Sequence, residues 1–121
     1  MASLDLEAEA ARRDLTVIHM GFARDELRLV MTADGAKELL VVLQLTGVHS
    51  FFDRGAVGCG PILARITEPG SFGWHLSAED RARHREVHIN PKSDPARNIF
   101  RAIARGIVAR IGDAEDANFP G

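Results

Sequence analysis

Five histidines and one cysteine are the side chains of this 121-residue sequence best suited to hold a metal or act as a nucleophile: His19, His49, His75, His84, His88 and Cys59. Structural zinc sites favour close pairs such as C-x2-C or H-x3-H, because every ligand must reach one ion at about 2 Å. His84 and His88 have the H-x3-H spacing, which on a helix puts both on one face. The surrounding stretch 85–90 (REVHIN) reads as strand, however, and there His84, Glu86 and His88 share a face. His75 could join them only if its own strand pairs with theirs. A site of His75, His84 and His88, with Glu86 beside it, is thus the metal-binding or enzymatic alternative. The plainer expectation is polar histidines on an open sheet face, with no metal and no cofactor.

The other chemical signals are weaker. Residues 53–61 (DRGAVGCGP) read GxxGxG, the reverse of a dinucleotide fingerprint. A phosphate cradle also needs a helix N-terminus behind the glycines, and here Pro61 and a strand-like run follow. A flexible connection is the expectation. Cys59 lies between two glycines of that loop. A nucleophilic cysteine needs a histidine or a helix N-terminus to lower its pKa, and only His49 could return to the loop base. The acidic pairs Asp25-Glu26 and Glu79-Asp80 fall in turn-like stretches and read as solvated surface. No GxxxxGK[ST], GxSxG or HExxH occurs. Arg97, Arg101 and Arg105 recur every four residues, a stripe that could contact phosphates or an acidic partner.

The elements that must position these groups follow from periodicity. Residues 3–13 favour a short N-terminal helix with Ser3 as its cap, and 1–14 form that helix or an arm. From Leu15 the period is two. Ile18, Met20 and Phe22 fall on one face, and Val17 and His19 on the other. Leu27, Leu29 and Met31 alternate likewise, so the two runs predict a hairpin. Residues 38–46 are apolar on both faces, with Leu39, Val41, Leu43 and Leu45 opposed to Leu40 and Val42. That pattern suits the middle of a sheet. Further strands are expected over 62–67, through Phe72, Trp74 and Leu76, and over 85–90, with a polar excursion at 78–84. Phe22, Trp74 and Phe100 read as core. Asp94-Pro95 suits a helix start, and Ile99, Ile103, Ile107 and Ile111 suit its apolar stripe, with Gly112 as its C-cap. Residues 113–121 read as a loose tail.

The expectation is a single α+β domain over 1–121: an antiparallel sheet of about five to six strands packed on a C-terminal amphipathic helix, with a short N-terminal helix. One cysteine permits no internal disulfide, so the core must hold the fold. Fifteen basic against seventeen acidic residues give a net charge of −2, without the basic excess of a duplex-binding domain. Thirteen of the fifteen are Arg, which with abundant Ala and Gly points to a GC-rich bacterial genome. No apolar run approaches the ~18 residues of a membrane span. The first residues are acidic and lack a signal-like apolar stretch. A cytoplasmic protein is the expectation.

The helix would cover one sheet face. The other carries Arg28, Gln44, Arg65, His75, Glu86 and His88 among apolar neighbours, a mixture suited to protein recognition. The functional expectation is therefore a non-catalytic protein-binding module, of inhibitor or toxin-immunity type, acting through that face and the 53–61 loop. Its partner would be another protein or a second copy of itself. Size, acidity and topology are similar to those of small bacterial α+β proteins that work by binding another protein, among them secretion chaperones; no residue pattern ties the chain to one family. Nucleic-acid contact through the Arg97, Arg101 and Arg105 stripe is the further alternative.

Overall fold

A computed structural model of the chain describes residues 3–70 and 75–119, with the backbone alone at 36–38. A short helix α1 (Leu6–Arg12) precedes strands β1 (Leu15–Ala23), β2 (Glu26–Ala33), β3 (Ala36–Asp53) and β4 (Ile62–Thr67). Helix α2 (Ala78–Arg83), strands β5 (Arg85–Pro91) and β6 (Phe100–Gly112), and a 3-10 helix (Ala114–Asn118) follow among the described residues. All pairings are antiparallel, in one six-stranded sheet of order β1-β2-β3-β6-β5-β4. Asp5, not Ser3, caps α1, its side chain accepting from the Ala8 N–H at 3.2 Å. No described helix is long and apolar enough to cross a membrane.

The expected C-terminal amphipathic helix does not exist. Residues 100–112 are β6, paired with β3 on one side and β5 on the other. A spacing of four is shared by the helical period and by twice the strand period, so the isoleucines alone cannot decide. Their environments differ in the sheet: Ile99 and Ile107 pack with the main core, Ile103 is buried beside Glu86 on the opposite face, and Ile111 is 48% exposed. Gly106 would cost an interior helix position about 1 kcal/mol relative to Ala. The β-branched Ile103, Ile107, Val108 and Ile111 fit a strand. The decisive factor is β3, whose Leu40–Leu45 stretch is apolar on both faces. It needs a paired strand on each side, and β6 is the second partner. Asp94-Pro95 opens a turn instead, with the Arg97 N–H donating to the Asp94 carbonyl at 3.0 Å. The strand expected through Phe72 and Trp74 falls on residues outside those described, and His75 to Ser77 lead as a turn and bend into α2.

The core is built by one curled sheet face. Val41, Leu43 and Leu45 of β3 point inward, then Val48; in β6 Phe100, Ala102 and Ala104 do so, then Ile107 and Ala109. The inward set changes parity at Gly47, whose φ of 60° suits glycine, and at its neighbour across the ladder, Arg105. The two long strands bend together there. Leu6 and Ala10 of α1 cover the core. The loop before β4 closes the curl: Gly58 donates to the Val17 carbonyl at 2.7 Å, and the Cys59 carbonyl accepts from the Val17 N–H at 3.0 Å. In β1 an irregularity between Val17 and His19 buries Val17 and leaves Ile18 43% and Phe22 45% exposed, so Phe22 is not core.

A Cβ at Gly60 would lie 2.6 Å from the Thr16 Cα, a backbone atom that cannot rotate away. Gly60→Ala is expected to destabilise the fold by about 1–3 kcal/mol, read as a lower urea midpoint at unchanged slope.

Candidate functional site

The outer sheet face, expected to be open, is divided in two. Over β2, β3 and β6 it is roofed by residues 113–119, so this described part of the expected loose tail is held in place. Arg28 and Gln44 lie directly opposite each other on β2 and β3. Above them Asp116, only 4% exposed, is held by two arginines. Its Oδ1 accepts from Arg110 at 2.7 Å and Arg28 at 2.9 Å, and its Oδ2 accepts from Arg110 at 3.1 Å and the Asp113 N–H at 2.9 Å. Arg110 Nε donates to Gln44 Oε1 at 3.3 Å. The Arg28 guanidinium also pairs with Glu26 and sits 4.1 Å from the Phe119 ring centroid, while the Phe119 carbonyl meets His19. Beneath lie Val30, Leu40 and Val42, a small second core. Arg28 and Gln44, expected on the partner-binding face, are thus engaged within the chain.

The Arg110 hydrogen bonds pull the Asp116 carboxyl from 3.8 down to about 2 against the cost of burial, helped by the Asp113 N–H and the charges of Arg110 and Arg28. Hydrogen bonding to Asp116 likewise raises Arg110 above its ordinary value.

Among the described residues nothing roofs the other half of the outer face. Phe52 on β3, Arg101 on β6, His88 on β5 and Arg65 on β4 form one cross-strand row, with steps of about 4.8 Å between strands. Glu86, one position along that face of β5, is 1% exposed. Its Oε2 lies 2.5 Å from His88 Nε2, and its Oε1 accepts from the Gly70 N–H at 2.9 Å. His88 Nδ1 faces Asn98 Oδ1 at 3.5 Å. A carboxylate paired and hydrogen-bonded in this way can stay buried, and it orients the imidazole. Over the row open two adjoining cavities. One of about 520 Å³ is lined by Arg65, His88, Asn90, Asn98 and Arg101, and by Glu7 of α1. The second, of about 600 Å³, shares Asn98 and Arg101 and adds Phe52, Arg54 and Arg97.

Arg54, Arg65, Arg97 and Arg101 make no ion pair among the described residues. Arg54 stacks its guanidinium 5.1 Å from the Phe52 ring centroid. Arg101 Nε is buried without a hydrogen-bond partner, a costly state for a charged donor. Of the arginine stripe, Arg97 lies in the loop before β6 and lines the second cavity with Arg101, whereas Arg105 lies over Gly47 beside His49. The stripe is therefore not one helix face.

The structure separates the histidines proposed as one site. His88 is engaged by Glu86 and Asn98, while His75 and His84 neighbour His49, with ring centroids 5.3 and 5.7 Å from it. Buried His84 donates from Nδ1 to the Asp80 carbonyl at 2.6 Å. Among the described residues no group of three or more His, Cys, Asp and Glu side chains could hold a metal ion. Cys59 is a half-buried free thiol whose backbone secures the loop to β1. Sequence reasoning did not single out Phe52 or Asn98, held Arg54 only as part of the 53–61 loop, and placed Arg101 on a helix; reading 100–112 with a period of two would have put Arg101 on a strand, without its pairing to His88.

No family model, curated protein or solved structure matches the chain.

Asp116 is the group whose folded-state pKa is depressed, so its stabilisation of about 2 kcal/mol is complete above about pH 5. It declines as pH falls through 3.8 and is gone below about 2. Urea unfolding between pH 5 and pH 2 is expected to show this loss in the native chain, and Asp116→Asn is expected to start lower and to lose correspondingly less.

Proposed function

We propose that the protein is a non-catalytic protein-binding module that takes an acidic segment of its partner across the uncovered half of the outer face. The observation that carries this reading is Arg101: its Nε is buried and unpartnered at the boundary shared by both cavities. A buried arginine donor normally has an acceptor, as those of Arg28 and Arg110 have in Asp116. Arg54, Arg65 and Arg97 around it are likewise without ion pairs among the described residues, so the face presents several positive charges on a chain of net charge −2. Such a field steers an acidic partner and sets its register, and the partner's carboxylates would supply the missing acceptors. Exposed Phe52, 36% accessible, adds apolar area in the same place. Occlusion of the partner's acidic surface is the mode of action this supports, as in an inhibitor or immunity-type protein.

A second reading has its own observation. Phe52 stands between Arg101 and the Arg54 guanidinium, and bases of a single strand stack on such aromatic and arginine planes.

Fluorescence anisotropy with a labelled Glu-rich peptide and a labelled single-stranded oligonucleotide separates the two. The peptide is expected to bind, more weakly as salt rises, and Arg65→Glu or Arg101→Glu to weaken it roughly tenfold or more, mainly through the on-rate. Binding of the oligonucleotide alone would favour the second reading. Peptide binding unchanged by both reversals would overturn the first.

A further inference from the structure

We propose that the cavity over β4, β5 and β6 is a phosphoryl-binding site, and that the group it takes is a phosphorylated side chain of the partner. This rests on the docking reading above and names the chemistry of its anchor. Arg65, His88 and Arg101 occupy directly paired positions on the three strands, so the sheet delivers three nitrogen-bearing side chains to one cavity of about 520 Å³. Two are permanent cations, and one of these has a buried donor with nothing to bind. Asn98 stands on the same wall, its carbonyl oxygen towards His88.

The acids nearby are already committed. Glu86 spends one oxygen on His88 and the other on the Gly70 N–H, and does not line the cavity. Glu7 does line it, and its Oε2 accepts from the Ile66 N–H at 3.0 Å. With Arg54 and Arg97 of the adjoining cavity, four guanidiniums stand against the Glu7 carboxylate, more positive charge than one further carboxylate would balance. A phosphate monoester carries about −1.5 to −2 and three acceptor oxygens, which suits two guanidiniums and further donors arriving from different strands. The volume exceeds a phosphate's, and the adjoining cavity with Arg54 and Arg97 gives the chain bearing it somewhere to lie.

Isothermal titration of the full chain with inorganic phosphate, a phosphoserine peptide and the same peptide with Glu in its place tests this. Saturable binding is expected for phosphate and for the phosphopeptide, the latter roughly tenfold or more tighter than the Glu peptide. Arg65→Gln, at an exposed position, and Arg101→Gln should each weaken it by a similar factor, whereas Arg83→Gln on α2 should not. Circular dichroism shows whether each variant is folded. If the phosphopeptide binds no better than the Glu peptide, and both depend on Arg101, the phosphoryl assignment falls and the docking reading stands. If free phosphate binds as tightly as the phosphopeptide, the ligand is not borne by a partner protein and the assignment falls in that part. If no anionic peptide binds, both readings fall. Tighter binding of a single-stranded oligonucleotide, lost in the same variants, would also overturn it.

Discussion

The ladder between β3 and β6 is the constraint on which the rest of the molecule depends. β3 runs from Ala36 to Asp53 and carries apolar side chains towards both faces over its first half. A strand of that kind must have its backbone paired on both sides and both faces covered. β6 supplies the second set of hydrogen bonds, from Leu40–Gly112 to Asp53–Phe100. By inserting between β3 and β5 it joins the N-terminal hairpin to the C-terminal strands as one sheet. The matched bends at Gly47 and Arg105 then curl that sheet, so its inner face becomes the core and α1 covers it.

The outer face inherits the consequences. Where β2, β3 and β6 are apolar on that side, the chain end folds back and Asp116 ties Arg28 to Arg110. Burial of Val30, Leu40 and Val42 and the ion pairs reinforce one another, because dehydration strengthens the charge interaction that keeps the roof in place. Further along, the same face carries Arg101, His88 and Arg65 in place of apolar residues, and none of the described residues roofs the cavity they line. The outer surface is therefore divided according to which charges are neutralised inside the chain. Those that are not give the docking and phosphoryl readings their basis.

Much of the local structure was legible. The alternation of Leu27, Leu29 and Met31 predicted a strand, and the double-sided Leu39–Leu45 pattern predicted a central one; both follow from the two-residue pleat, which each segment expresses on its own. Glu86 and His88 were placed on one face by the same rule and stand there paired. The misreadings have a common cause. A spacing of four fits helix and strand alike, so Ile99, Ile103, Ile107 and Ile111 were assigned to a helix, and Arg97, Arg101 and Arg105 with them. An irregularity of one residue, as at Val17, reverses every inward assignment after it without leaving a mark in the composition.

By itself the sequence determined what short-range physics controls: no internal disulfide, strands over most of the runs of period two, a near-neutral balance rich in arginine. Only the tertiary structure decided which arginines would be neutralised. Arg28 and Arg110 meet Asp116 across as many as 88 residues of chain, and Arg101 meets His88 and Arg65 only because β6 lies beside β5. Pairing partners are chosen by the burial of both faces of β3, a requirement satisfied by the whole sheet and by no segment alone. That is why the residues of the candidate site could be seen in the sequence one by one, and their convergence could not.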